Sequence, residues 1–265
     1  MTQVRSTQMR TWESAEISRS GVEAELTKST TTGRLSERTL RRYQNPPADT
    51  WFPLEYAYHL LGDVRGRRVV DFGCGSGANS VHLALRGAAL AGLDISESLI
   101  RLGQQRLAAN GVDRTARFVV GSAHDLPFET ASVDVVFGIA ILHHLDLQLV
   151  AGEVHRILKP GGRAIFQEPV RNSAVLRFVR KLIPYRAPDI SPFERPLTDA
   201  ELKEFGRRFT SMRVKAFTLP FVPLVMLIPS IGRNPDWWYG LDAKLLTRFR
   251  FLRSYASIRV IELTK

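Results

Sequence analysis

The sequence predicts an α/β fold with a mostly parallel sheet, on three observations. From Arg67 onward, short apolar runs alternate with helix-forming segments in the manner of βαβ units. Two of those runs, Val133–Phe137 and Ala164–Phe166, are apolar almost without break, as strands buried on both faces are. A strand tip, an acid and three alternate glycines, Val69-Val70-Asp71-Phe72-Gly73-Cys74-Gly75-Ser76-Gly77, join the first strand to the first helix.

Residues 1–45 read as weakly structured, either a flexible tail or an N-terminal lid. Ser18–Ser36 is rich in serine, threonine and glycine, and Asn45-Pro46-Pro47 closes the segment with a break. Residues 46–265 read as one domain. Leu54–Leu61 carries apolar residues at helical spacing ahead of the first strand. Strand Arg68–Phe72 leads to helix Asn79–Arg86. Strand Ala89–Asp94 leads to helix Glu97–Asn110, with Ser96 or Asp94 to cap it and Gly111 to stop it. Strand Arg117–Gly121 runs into a turn around Pro127. Strand Val133–Gly138 is followed by an apolar stretch with two histidines and then helix Leu147–Leu158. The turn Lys159-Pro160-Gly161-Gly162 opens strand Arg163–Gln167.

Past Glu168 the rhythm changes. Two inserted segments, 171–197 and 220–255, are apolar and basic together. Between them, Thr198-Asp199-Ala200-Glu201 has the form of a capping box. Met212–Leu219 and Ala256–Leu263 are the last strand candidates. Prolines 220, 223 and 229 argue against a regular helix over Pro220–Ile231 and against an inner strand. Leu241–Tyr255 sets Lys244, Arg248, Arg250 and Arg253 among Leu245, Leu246, Phe249 and Leu252, the pattern of an interfacial helix.

The net charge of +11 is unevenly spread: residues 161–265 carry 19 basic and 9 acidic side chains, and residues 51–160 carry 10 and 11. The basic excess therefore lies away from the glycine loop. It can attract an anionic membrane surface or an acidic small molecule, and no nucleic-acid module is recognisable. No apolar run reaches the roughly 18 to 20 residues of a membrane span, and no secretory signal is visible. A single cysteine, Cys74, excludes an internal disulfide and agrees with a cytoplasmic location.

The glycine stretch leads into a helix N-terminus, where free N–H groups can receive a polar ligand. A dinucleotide loop would read Gly-x-Gly-x-x-Gly, whereas Gly73, Gly75 and Gly77 give Gly-x-Gly-x-Gly with an acid two residues ahead. A carboxylate there is awkward beside a pyrophosphate and suits a cationic amino-acid group. Asp94, ending the second strand, can take both hydroxyls of a ribose. These two features alone leave a nicotinamide cofactor open.

Five pieces in order resemble the class I S-adenosylmethionine-dependent methyltransferases, small-molecule group. They are Val70–Gly77, Gly92-Leu93-Asp94-Ile95-Ser96, Gly121–Phe128, Phe137–Leu145 with its His143-His144 pair, and Leu158-Lys159-Pro160-Gly161-Gly162. The resemblance covers about residues 50–170. It implies a Rossmann-like, seven-stranded, mostly parallel sheet with an antiparallel last strand, helices on both faces and inserted lid segments. It implies S-adenosylmethionine as cofactor. Asp71 would lie beside the methionine ammonium, and Gly73, Cys74, Gly75 and Gly77 would let the backbone approach the amino-acid part. Asp94 would hold the ribose with Ile95 against the adenine. Ser122 stands where the family usually has an acid for the adenine amino group, Ala123 would offer its N–H to the ring, and Gly138 and Ile139 would flank the cofactor.

Methyl transfer is an in-line displacement in which the protein mainly aligns and desolvates the nucleophile. A base is needed only for an acceptor that arrives protonated with a high pKa. His143, His144 and Glu168 are the candidates, whereas His155 reads as a packing residue. No carboxylate and histidine cluster stands at metal-ligand spacing, so no metal is expected. The expected acceptor is a small, hydrophobic molecule (a lipid, quinone, polyketide or other secondary metabolite), with O-methylation preferred and specificity set by 171–197 and 220–255. The alternatives are an anionic or glycosylated acceptor, or a cofactor-binding regulatory protein without catalysis.

Overall fold

The computed structural model describes residues 2–30, 33–173, 195–228 and 233–265. Seven strands form one sheet: β1 (Arg68–Phe72), β2 (Ala89–Asp94), β3 (Ala116–Val120), β4 (Val133–Ile139), β5 (Leu158–Pro169), β6 (Ser211–Phe217) and β7 (Ile258–Thr264). Their order is β3-β2-β1-β4-β5-β7-β6, and β7 is antiparallel to both of its neighbours. The seven-stranded fold expected from the resemblance is the observed one.

Period-two side-chain alternation splits the core into two layers. Val70, Phe72, Val136, Ala164, Phe166, Ile261 and Leu263 face one way, against α6 (Leu147–Ile157) and α7 (Asp199–Gly206). Val69, Val135, Phe137, Ile165 and Val260 face the other way, against α3 (Pro53–Leu61), α4 (Ala78–Leu85) and α5 (Glu97–Ala109). Both faces of β1, β4 and β5 are therefore dry, which is why their sequences lack polar alternation. The chain runs outward from β1 to β3 and then returns to the other side of β1 as β4. The loops after β1 and β4 thus flank a crevice at the point where strand order reverses.

Side chains fix the helix starts where the sequence suggested. Ser96 accepts from Leu99 N–H at the start of α5, and Thr198 forms a capping box with Glu201 at the start of α7. His155 stacks edge-on to Phe209, a packing contact. β6 ends at Phe217, short of Leu219, because Thr218 adopts φ 67° and the Asp242 carboxylate takes the N–H groups of Thr218 and Leu219. The Lys159–Gly162 turn falls inside β5, with a register shift against β4 between Val133 and Val135.

Three places differ from expectation. Residues 2–30 form one helix, α1 (Thr2–Thr30), and α2 (Glu37–Gln44) follows, capped by Ser36. α8 (Phe221–Met226) is helical despite its prolines: Pro220 is the N-cap and Pro223 lies in the first turn, where a helix leaves its N–H groups unbonded anyway. The segment 220–255 continues as α9 (Pro235–Arg248) and a short 3-10 helix, Arg250–Ser254, packed beside β6 and around Trp51. Its described residues line neither of the two cavities at the His143-His144 pair. Most of the other insertion, 174–194, lies outside the described residues.

Candidate active site

The loop after β1 turns on Gly73 and Gly77, with φ of 71° and 77°. A Cβ on Gly73 would stand 2.5 Å from Ile141 Cγ1 in the loop after β4, so only glycine lets the two loops meet. The loop is held to β2: Gly73 and Cys74 N–H both donate to the Leu93 carbonyl at 2.9 Å. Gly75 N–H donates to Asp94 Oδ2, and Ser96 N–H to Asp94 Oδ1, each at 2.9 Å. Burial raises the Asp94 carboxyl above its ordinary range while these two bonds oppose the rise. Each oxygen still has lone-pair capacity for a ligand hydroxyl.

Gly73, Asp94, Ile95, Ser122, Ala123 and His144 line one cavity together, of about 60 Å³. The other expected cofactor residues are not on its wall. Asp71 is buried and accepts from Ser80 Oγ of α4 at 2.5 Å, and burial pushes its carboxyl up to about 7. The Cys74 thiol is also buried and held well above its usual pKa by desolvation, which removes it as a nucleophile. Gly77 is the N-cap of α4, packed against Phe118 and Gly103. Gly138 packs against Phe166, and Ile139 against the core on the α3–α5 face.

His143 lines a second, larger cavity, of about 670 Å³, bordered by Leu147, Ala151, Leu197 and Phe205 and by the charged side chains of Asp146, Glu201, Glu204, Arg195, Arg207 and Arg208. The rings of His143 and His144 are 4.1 Å apart, and Trp12 and Leu145 line both cavities. The two spaces therefore adjoin at the histidine pair. Glu168, fully buried at the end of β5, accepts Ile141 and Leu142 N–H on Oε1 at 2.9 and 2.8 Å. Its Oε2 lies 2.9 Å from His143 Nδ1. A buried carboxylate with three donors has the partners its burial requires. The charges around the second cavity largely pair off, Arg195 with Glu201 and Arg207 with Glu204.

Sequence reasoning left residues 1–45 as a tail or a lid and named no residue in the roof of the smaller cavity. That roof is α1, which contributes Trp12, Glu13, Glu16, Arg19 and Ser20. Ser122 Oγ donates to Glu13 Oε1 at 2.5 Å, and His144 Nδ1 lies 3.4 Å from Glu16 Oε2. His124 was missed as well. Its Nε2 accepts Asp146 N–H at 3.1 Å, so Nδ1 carries the proton and faces Glu13 Oε1 at 3.4 Å.

A profile described as a methyltransferase domain matches residues 70–166, the span from β1 to β5. A ubiquinone biosynthesis O-methyltransferase of Pseudomonas putida is 30% identical over 173 residues, which cover 56% of this chain and 73% of that protein. The chain belongs to the class I S-adenosylmethionine-dependent methyltransferases. A fatty-acid O-methyltransferase of Mycolicibacterium smegmatis is 32% identical over 155 residues, covering 57% of this chain and 50% of the relative. The match spans about half the length of several such curated relatives, between 43% and 61% in four of them. Among solved structures, a phosphoethanolamine N-methyltransferase of Haemonchus contortus superposes with a TM-score of 0.56 at 18% identity, covering 76% of this chain and 49% of that one. That likeness concerns the fold. In this methyltransferase Gly73, Asp94 and His144 line one small cavity, and His143 lines the larger one beside it.

Proposed function

We propose that this chain transfers a methyl group from S-adenosylmethionine in-line to a small, hydrophobic acceptor, preferentially at oxygen, with His143 as the base. The observation that carries the reading is the junction of two cavities at His143 and His144, one beside the glycine loop and Asp94, the other lined by Leu147, Ala151, Leu197 and Phe205 together with charged side chains. A donor in the first and an acceptor in the second would meet there, and transfer needs that alignment most of all.

The residue types fit the cofactor. Asp94 has lone-pair capacity left for ribose hydroxyls, Leu93 and Ile95 offer apolar contact to a base, and Gly73 keeps the backbone accessible. The volume fits only when α1 withdraws, since about 60 Å³ is well below the roughly 300 Å³ at which small-molecule pockets begin. When bound, the cofactor supplies a methyl carbon on an already activated sulfonium leaving group.

On the acceptor side, Glu168 holds His143 through Nδ1. A carboxylate only accepts, so Nδ1 carries the proton and Nε2 keeps a lone pair. Nε2 would take the hydroxyl proton of an acceptor as its oxygen attacks, and Glu168 would stabilise the resulting imidazolium. Arg208 on the wall of the second cavity would suit an anionic group, while apolar contact from Leu147, Ala151, Leu197 and Phe205, with Arg195 and Arg207 paired to acids, supports a hydrophobic acceptor. The similarity to a fatty-acid and a ubiquinone-pathway O-methyltransferase points the same way. Transfer of a labelled methyl group into fractionated extracts of the source organism, with identification of the product, tests the reading. Binding of NADH and not S-adenosylmethionine in titration calorimetry would overturn it.

The same reading includes contact with an anionic membrane surface. Leu224, Leu227, Trp237 and Phe251 are largely exposed on the segment that also exposes Lys244, Arg248, Arg250 and Arg253. No described helix is long and apolar enough to cross a membrane, so the contact would be peripheral.

A further inference from the structure

α1 packs the wrong way round for a structural helix. Its inward positions follow helical spacing, Glu16, Ser20 and Ala24, with Glu13 and Arg19 beside them. Glu16 is 7% exposed and Ser20 2%, yet Ile17 is 49% exposed and Val22 42%. Turning carboxylates inward and aliphatic side chains outward costs solvation energy on both faces. A helix that served only to cover apolar surface would present the opposite stripe. The polar stripe lies over the small cavity beside Asp94, so it is built toward a polar ligand.

Within that stripe Glu13 is held in a set position. Ser122 Oγ and His124 Nδ1 both approach the same oxygen, Oε1, at 2.5 and 3.4 Å, and the Asp146 N–H fixes the His124 tautomer from behind. Both of these contacts use Oε1. The same cavity wall also carries apolar and aromatic side chains, Trp12, Leu93, Ile95, Ala123 and Leu145. Apolar contact surface and a positioned carboxylate in one cavity suit a heteroaromatic ring bearing an exocyclic amine.

We propose that Glu13 is the carboxylate that recognises the adenine amino group of the cofactor, and that α1 is the movable half of the base pocket. The proposal rests on the cofactor reading above. Opening must precede binding, because the closed cavity is too small for the base. Closing would then bring Glu13 onto the amine while Ser122 and His124 keep the carboxylate aimed.

The test is titration calorimetry of the full chain with S-adenosylhomocysteine and with S-inosylhomocysteine, in which a keto group replaces the amine. Wild-type protein should prefer the adenine form by about tenfold or more, since a carboxylate receives an amine and repels a keto oxygen. Glu13→Gln should bind the adenine form less tightly and lose most of the discrimination, because its amide both accepts and donates. Ser122→Asp in the Glu13→Gln background should restore the preference by placing a carboxylate on the facing loop. Circular dichroism checks that each variant is folded. Tight binding with an unchanged adenine-to-inosine ratio in Glu13→Gln overturns the role of Glu13 and leaves the cofactor reading standing. Absence of any S-adenosylhomocysteine binding by the wild-type chain overturns both.

Discussion

Glu168 Oε2 and His143 Nδ1 lie 2.9 Å apart, while the other oxygen of the same carboxylate holds two N–H groups of the loop after β4. One buried acid thus fixes both the loop and the tautomer of the ring that faces the larger cavity. The two residues should therefore fail differently. His143→Gln should lower kcat by about 10² to 10⁴, the usual worth of a general base, with thermal stability nearly unchanged. Glu168→Gln must point either an amide donor at two N–H donors or at a third, so it should lose stability by about 1 to 3 kcal/mol as well as activity. Paired kcat and thermal-melt measurements check this. Full activity in His143→Gln would remove the base from the reading.

Asp94 makes the corresponding link on the cofactor side, with one oxygen on Gly75 and the other on Ser96. Asp94→Ala takes away the acceptor for ribose hydroxyls and leaves two N–H groups without their partner. Affinity for S-adenosylhomocysteine should fall by at least about 100-fold, from the loss of charge-assisted hydrogen bonds. Asp94→Asn, which keeps one acceptor oxygen, should fall between the two. Unchanged affinity in calorimetry would show that the ligand lies elsewhere.

What the sequence revealed divides along the sheet. β1 to β5 were legible because strands buried on both faces write continuous apolar runs, and because the glycines and Asp94 mark a loop with narrow requirements. The grouping of Gly73, Asp94, Ile95, Ser122 and Ala123 was implied by the family resemblance, and these five line one cavity. α1 was not legible as a helix, since its inward stripe is Glu16, Ser20 and Ala24 and a reading by apolar periodicity has little to detect. His124 was invisible for a related reason: its role comes from Asp146 and Glu13, which lie 22 and 111 residues away. α8 was misjudged because the prolines were counted without their positions in the first turn.

Asp71 gives a pH dependence with a definite sign. Burial pushes its carboxyl up to about 7, the Ser80 hydrogen bond opposes this, and Asp94 adds to it. Between about pH 4 and pH 7 the folded chain keeps this proton while the unfolded chain has released it. The contribution is fully present below the unfolded pKa and is lost as pH rises toward 7, so stability from this group falls with pH. Asp71→Asn cannot titrate and keeps an oxygen for Ser80. Its melting temperature relative to wild type should therefore rise between pH 4 and pH 8. Parallel melting curves for the two proteins across that range would contradict the shift.

The basic C-terminal segment makes the membrane contact testable by charge and by apolar content separately. Arg248, Arg250 and Arg253 are exposed beside Phe249 and Phe251, with Phe251 67% accessible. None of the salt bridges among the described residues uses these three arginines, although Arg253 Nε donates to the Leu246 carbonyl. Each arginine near an anionic surface is worth about 1 kcal/mol, so replacing all three by glutamine should weaken partitioning on the order of 100-fold. Co-sedimentation should be seen with vesicles containing phosphatidylglycerol, weaken in high salt, and be nearly absent with phosphatidylcholine alone. Phe251→Ser should weaken it with little change in salt dependence, because it removes apolar burial and leaves the charge. Equal binding to neutral and anionic vesicles, or no binding to either, would rule out this surface as the contact.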